Sequence, residues 1–193
     1  MPKYPNDVRC VTLLDKAGCS KRIILHSCTV KEVAAKIAER IPCDMELVIA
    51  GSLLHDIGRA KDHTVMHANV GADMAERLGL PKELVHIIRK HVGAGIDDID
   101  AIELGIPKGD YIPRTREEKI VAHADNMVSD NTIVPHTYTV EKLRAKGSGR
   151  GADRVAALHA ELSEMYGEDL DEAVSTLGET PALASLCAAL ARK

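Results

Sequence analysis

Apolar residues recur along most of this chain at three- and four-residue spacing, and the residues between them read as helix caps and breaks. A first helix is predicted from about Asp7 to Lys16, ending at Gly18. A second runs from about His26 to Arg40, with Val30, Val33, Ala34, Ile37 and Ile41 in helical phase and Pro42 as a stop. Asp44 caps a third, which carries Val48, Ile49, Ser52 and Leu53 and ends near Gly58. The fourth spans about Met66 to Leu78, with Gly79 as its C-terminal cap. Pro81 opens a fifth that carries Leu84, Ile87 and Ile88 to about Val92. A long turn-rich segment, Gly93 to Pro113, follows, and loops of that length are usually functional or mobile. Thr115 and Glu118 then form a capping box that starts a sixth helix through about Val128. Beyond an irregular stretch from Ser129 to Thr139, the spacing predicts a short helix near Val140 to Lys146 and a glycine-rich break at Gly147 to Gly151. A helix from Ala152 to Tyr166 and a last one after Pro181 complete the chain. There is no repeat and no convincing strand pair, so the fold class is all-α.

The helical phase also says which polar residues point inward. His26 lies on the stripe of Val30, Val33 and Ile37, and Asp56 on that of Ile49, Ser52 and Leu53, with His55 beside it. His67 aligns with Val70, Met74 and Leu78, His91 with Leu84, Ile87 and Ile88, and Asp125 with Val121 and Val128. Burying imidazoles and carboxylates in an aliphatic core is costly unless something pairs with them, and a shared cation would do so. The other histidines read differently. His86 and His123 fall beside charged or polar neighbours and are expected to face outward, His63 and His136 lie in loops, and His159 is a half-buried core residue. A single inward histidine is usually structural; the coincidence across five helices carries the weight.

Composition narrows the picture. The 193 residues fit a single domain and are 45% hydrophobic and 28% charged, as in ordinary globular proteins. With four Tyr and neither Phe nor Trp, the core is aliphatic, which suits closely packed helices. A formal charge of -4 argues against broad nucleic-acid binding. The five cysteines are scattered with no CxxC pair, which points away from zinc knuckles and disulfide frameworks and toward a reducing compartment. No apolar leader or membrane-length stretch occurs, so a cytoplasmic location is expected.

The run Leu53-Leu54-His55-Asp56-Ile57-Gly58 resembles the central signature of the HD superfamily of metal-dependent phosphohydrolases, in its HDIG form. The leading histidine of that pattern maps onto His26 and the distant aspartate onto Asp125, so the resemblance runs from about Ile23 to Val128. The segments around His67 and His91 resemble the extra motifs of HD proteins with two metals, such as the bacterial symmetrical diadenosine tetraphosphatases. The stretch between His91 and Asp125 is longer here and is expected to reshape the pocket. Uncharacterised archaeal HD proteins are similar over more of the chain. The resemblance implies an HD-domain helical bundle, with a core over about 20–130 and a C-terminal helical extension over about 140–193. It also implies a first metal on His26, His55, Asp56 and Asp125, bridged by Asp56 to a second on His67 and His91, with His55 and Asp56 at the catalytic centre.

Imidazole and carboxylate ligands suit iron, manganese, cobalt, nickel or zinc. The expected chemistry is hydrolysis of a phosphoester or phosphoanhydride in a nucleotide or small phosphorylated metabolite. Arg59 and Lys61 are candidate phosphate-binding residues, Lys90 is a weaker one, and Tyr111 is more readily a packing residue than a base-stacking one. Two alternatives stand beside this reading: a di-iron oxygenase of the HD fold, and a non-catalytic nucleotide-sensing module. The tail beyond about Asn131 is expected to complete the core or to form a homodimer surface.

Overall fold

A computed structural model describes residues 3–178; the helix expected after Pro181 lies outside the described residues. The fold is an all-helical bundle: α1 (Asp7–Ala17), α2 (Lys21–Ala38), α3 (Met45–Leu54), a 3-10 turn (Ile57–Ala60), α4 (His67–Arg77) and α5 (Lys82–Lys90). These are followed by α6 (Asp98–Glu103), α7 (Arg116–Asn126), α8 (His136–Ala145), α9 (Gly149–Tyr166) and α10 (Leu170–Ser175). No helix among the described residues is long and apolar enough to cross a membrane.

The central member is α3. Leu47, Val48, Ala50, Leu53 and Leu54 are all buried, so beyond its exposed first residues, Met45 and Glu46, this helix is enclosed by the bundle. Its neighbours are α1, α2, α5 and α7. Asp44 caps its start by accepting from the Leu47 amide, and the buried Ser52 hydroxyl donates back to Val48 O at 2.8 Å. Truncating a fully buried leucine such as Leu54 to alanine would cost about 2–5 kcal/mol here.

At the end of α3 the chain tightens into the 3-10 turn, and Gly58 explains why it can. A Cβ at Gly58 would stand 1.9 Å from the His67 carbonyl oxygen and 2.6 Å from the Gly71 nitrogen. Only a residue without a side chain lets the turn lie directly on the first turn of α4.

Several expected elements are corrected. The glycine- and proline-punctuated stretch after His91 contains α6, a six-residue helix whose N-cap is Asp97. The irregular stretch after Val128 contains a two-residue antiparallel pair, Val128 opposite Ile133 and Ser129 opposite Thr132, turning at Asp130 with φ 58°. α8 begins at His136, α9 starts at Gly149 inside the expected glycine break, and α10 follows a left-handed cap at Gly167. Short helices and two-residue strands carry too few periods for spacing to reveal them. The capping box at Thr115 and Glu118 forms as expected.

The C-terminal helices close over the bundle. Arg150 and Arg154 on α9 pair with Asp97, Asp100 and Glu103 at the opposite rim. Between this hairpin and the bundle lies a cleft of about 1190 Å³.

Candidate metal centre

Five helical segments deliver the five residues marked by helical phase, with His55 beside Asp56, to one place. His26 comes from the middle of α2, His55 and Asp56 from the end of α3, His67 from the first residue of α4, His91 from the end of α5, and Asp125 from α7. His55, Asp56, His67 and His91 are buried, while His26 and Asp125 look into the cleft. The Asp56 carboxylate stands between two groups. Its Oδ2 lies 3.9 Å from His26 Nε2 and 3.7 Å from His55 Nε2. Its Oδ1 lies 3.1 Å from His67 Nε2 and 3.6 Å from His91 Nε2. Asp125 Oδ1 completes the first group, 3.0 Å from His26 Nε2 and 3.5 Å from His55 Nε2.

The opposite edge of every ring fixes its tautomer. The Nδ1 of His26, His55, His67 and His91 meets a main-chain carbonyl, of Asp130, Ser52, Thr64 and Ile88, at 2.5, 2.7, 2.6 and 2.7 Å. A carbonyl can only accept, so each Nδ1 carries a proton and each ring turns its Nε2 toward Asp56 or Asp125. His67 Nε2 and His91 Nε2 are 3.0 Å apart. His55 Nε2 and Asp56 Oδ1 are buried without a hydrogen-bond partner. An acceptor cluster of this kind is stable only around positive charge, and these side chains are of the types that hold a divalent ion.

Electrostatics agree. Burial alone would raise the Asp56 pKa, but His55, His67 and His91 outweigh it and hold Asp56 well below the usual carboxylate range. Asp125 is likewise lowered, burial being overcome by His55 and His26. Burial disfavours charge on His55, yet Asp56 and Asp125 lift its pKa to about 9. Burial, together with His55 and His67, pushes His91 down. Both carboxylates therefore stay ionised, and a proton and a metal ion compete for the same His55 lone pair.

The surrounding residues sort differently from expectation. Arg59 lines the cleft, and its Nε donates to Asp56 Oδ2 at 2.6 Å, which leaves the far edge of its guanidinium free. Lys61 is exposed and does not line the cleft. Lys90 is buried in ion pairs with Glu118 and Asp110 and does not reach the centre. Tyr111 is buried; its hydroxyl donates to Pro107 O and accepts from Asn69, a packing role.

His123, expected to face outward, is fully buried, with its Nε2 3.1 Å from His159 Nδ1. Its polar flanking residues face other parts of the fold and not solvent. Asn126 is itself buried, donating to Gly93 O, and Lys119 pairs with Glu161 on α9, so α7 is covered on both sides. His136, expected in a loop, opens α8, with its Nδ1 donating to Asp171 Oδ2 at 2.8 Å. Nothing in the local sequence pattern marks these contacts, because each joins elements well separated along the chain.

Comparison with known proteins follows the same lines. The HD domain family model matches residues 23–130, more than half of the chain. The chain belongs to the HD domain family. Among the relatives of this HD domain is a tRNA (cytidine(56)-2'-O)-methyltransferase of Thermoplasma volcanium, 44% identical over 87% of the chain and 50% of the relative. The chain thus spans about half the length of that protein. An uncharacterised protein of Methanocaldococcus jannaschii is 47% identical over 66% of the chain and 79% of its own length. A ribonuclease Y of Pseudothermotoga lettingae is 29% identical over 70% of the chain and 28% of that protein. The fold is that of the L. monocytogenes phosphodiesterase PgpH HD domain. Free, that domain has a TM-score of 0.59 at 16% identity, over 87% of this chain and 96% of its own. In complex with cyclic-di-AMP it has a TM-score of 0.53 at 15% identity, over 82% and 97%.

Proposed function

We propose that this HD domain is a phosphohydrolase dependent on two divalent metal ions, cleaving a phosphoester or phosphoanhydride of a nucleotide-type substrate. The observation that carries the reading is the division of Asp56, whose Oδ2 faces His26 and His55 while Oδ1 faces His67 and His91. His26, His55, Asp125 and Asp56 Oδ2 would hold one ion; His67, His91 and Asp56 Oδ1 would hold the other. Bound in this way, such ions lower the pKa of water and neutralise charge on a phosphate oxygen.

The chain's own groups do the rest. The four main-chain carbonyls hold the Nδ1 protons and keep the Nε2 atoms aimed at the two carboxylates. Arg59 orients Asp56 through Nε and offers its remaining guanidinium edge to a phosphate oxygen, a bidentate geometry that lysine lacks. Only one face of the centre is open, through His26, Asp56 and Asp125 toward the cleft, so substrate approaches from there. The phosphodiesterase name of the PgpH relative and the ribonuclease name of another fit this chemistry, although neither substrate transfers by likeness alone.

The test is metal analysis of the purified protein followed by hydrolysis of bis(p-nitrophenyl) phosphate and a nucleotide panel under manganese, iron, cobalt, nickel and zinc. Turnover is expected in wild type and lost in Asp56→Ala. Full turnover in that variant sinks the proposal. Iron with dioxygen uptake and no hydrolysis would assign oxygenase chemistry instead, and tight nucleotide binding without product would assign a sensor.

A further inference from the structure

The cleft beside the centre is larger than one nucleotide needs. Its volume of about 1190 Å³ exceeds the roughly 300–1,000 Å³ of ordinary small-molecule sites. One wall is α8, a helix with no buried residue. Tyr138, Lys142 and Lys146 lie four residues apart along it, on one face, and all three line the cleft. From Tyr138 to Lys146 this stripe runs about 12 Å along the helix axis.

The stripe joins an exposed ring, whose hydroxyl accepts from Ser129 Oγ at 3.3 Å, to two ammonium groups that form no ion pair among the described residues. Tyr4, Tyr111 and Tyr166 are buried, whereas Tyr138 is 43% exposed and is the only exposed aromatic in a chain without Phe or Trp. Lys142 Nζ lies 5.7 Å from the Tyr138 ring centroid. The other cations of the cleft wall are already neutralised: Arg22 by Asp130, Arg59 by Asp56, and Arg150 and Arg154 by Asp97, Asp100 and Glu103. Lys142 and Lys146 are exposed and carry no ion pair among the described residues.

We infer that the α8 face of Tyr138, Lys142 and Lys146 binds a single-stranded polynucleotide whose chain leads one phosphodiester to the Asp56 centre. The inference rests on the hydrolase reading above and names its substrate class. An aromatic face beside an ammonium matches a base stacked next to its own phosphate, and a second ammonium one turn on meets a following phosphate. Base pairs are already stacked within a duplex, so an exposed ring of this kind selects unpaired strands. The overall charge of -4 opposes indiscriminate coating of nucleic acid and confines binding to this wall.

The experiment uses the metal-loaded protein with fluorescein-labelled octanucleotides, ribo and deoxy, and a labelled dinucleotide. Fluorescence anisotropy reads binding, and bis(p-nitrophenyl) phosphate turnover is measured in parallel. At least one octanucleotide should bind at least about ten-fold tighter than the dinucleotide. Tyr138→Ala should weaken octanucleotide binding about ten-fold and Tyr138→Phe should restore it, since the stacking face survives. Lys142→Ala/Lys146→Ala should flatten the salt dependence from a slope of about -1.4 toward zero, about 0.7 for each ammonium lost. Small-diester turnover should be unchanged in all these variants. Equal affinity for dinucleotide and octanucleotides, or octanucleotide binding indifferent to the α8 variants, overturns the inference while leaving diester hydrolysis standing. Loss of diester hydrolysis in wild type, with strand binding still dependent on α8, overturns the hydrolase reading instead.

Discussion

The cluster around Asp56 and the cluster around His159 are built from the same side-chain types, and His123 and His159 are tilted by 57° like the rings around Asp56, yet His136 and His159 are set as no pair around Asp56 is. Around Asp56, neighbouring imidazoles are tilted by 61°, 74° and 57°, so lone pairs lying in the ring planes arrive from different directions at common points. Around His159, His136 stacks at 3.5 Å between centroids with 15° between planes, and lone pairs in two such planes run side by side without meeting. Protons close the second cluster. His123 Nε2 donates to His159 Nδ1, His159 Nε2 faces Asp169 at 3.4 Å, and His136 donates to Asp171. In the first cluster every Nδ1 proton points outward to a main-chain carbonyl, and the Nε2 atoms face the two carboxylates. Histidines and carboxylates lying within reach of one ion are common to both; the side on which each ring keeps its proton separates a metal centre from a structural clasp.

That contrast can be broken by experiment. The largest effect belongs to Asp56→Ala, which should lower phosphodiester turnover on the order of a thousand-fold and abolish bound metal; normal metal content by elemental analysis would refute the bridging role. Next is Gly58→Ala, where the new Cβ meets the His67 carbonyl; a loss of about 3 kcal/mol in urea unfolding is expected, with weakened metal retention. His91→Ala should remove about one ion per chain, whereas His136→Ala should remove none, a difference that metal titration resolves directly. In the same way, excess manganese should raise the melting temperature of wild type and His136→Ala alike, but not that of Asp56→Ala.

The smallest effect is one of pH. Burial, with His159 and His136 nearby, lowers the His123 pKa to about 3, so the folded protein binds fewer protons here than the unfolded chain, whose histidine titrates near 6.5. Stability from this group is therefore complete above about pH 6.5 and drains away as pH falls toward 3. The stability difference between wild type and His123→Leu, followed by denaturant unfolding, should shrink or reverse across that window; a constant difference would place the clasp's proton elsewhere.

Much of the centre was legible in sequence because His26, His67, His91 and Asp125 sit on or at the end of helices with an apolar stripe, while His55 and Asp56 follow a helix that is apolar nearly all round. His123 was illegible for the complementary reason. α7 is buried on two sides, and the polar residues around His123 face α9 and the loop after His91, not water. α6 and the strand pair are too short to declare a period, and Tyr138 gained meaning only when α8 was found to begin at His136. Lys61 illustrates the limit of proximity along the chain: two residues beyond Arg59, the turn has already carried it out of the cleft.

The carbonyl partners of the four imidazoles have a consequence for how the site assembles. His55, His67 and His91 each bond a carbonyl only three residues earlier in the chain, so those rings acquire their tautomer as soon as the local turn forms. His26 relies instead on Asp130, more than a hundred residues away, at the tip of the small hairpin. Three of the rings are thus oriented by local chain geometry, and the fourth only where the hairpin lies on α2. On the proposed reading, metal uptake at the His26 side would report that the two ends of the HD region have met.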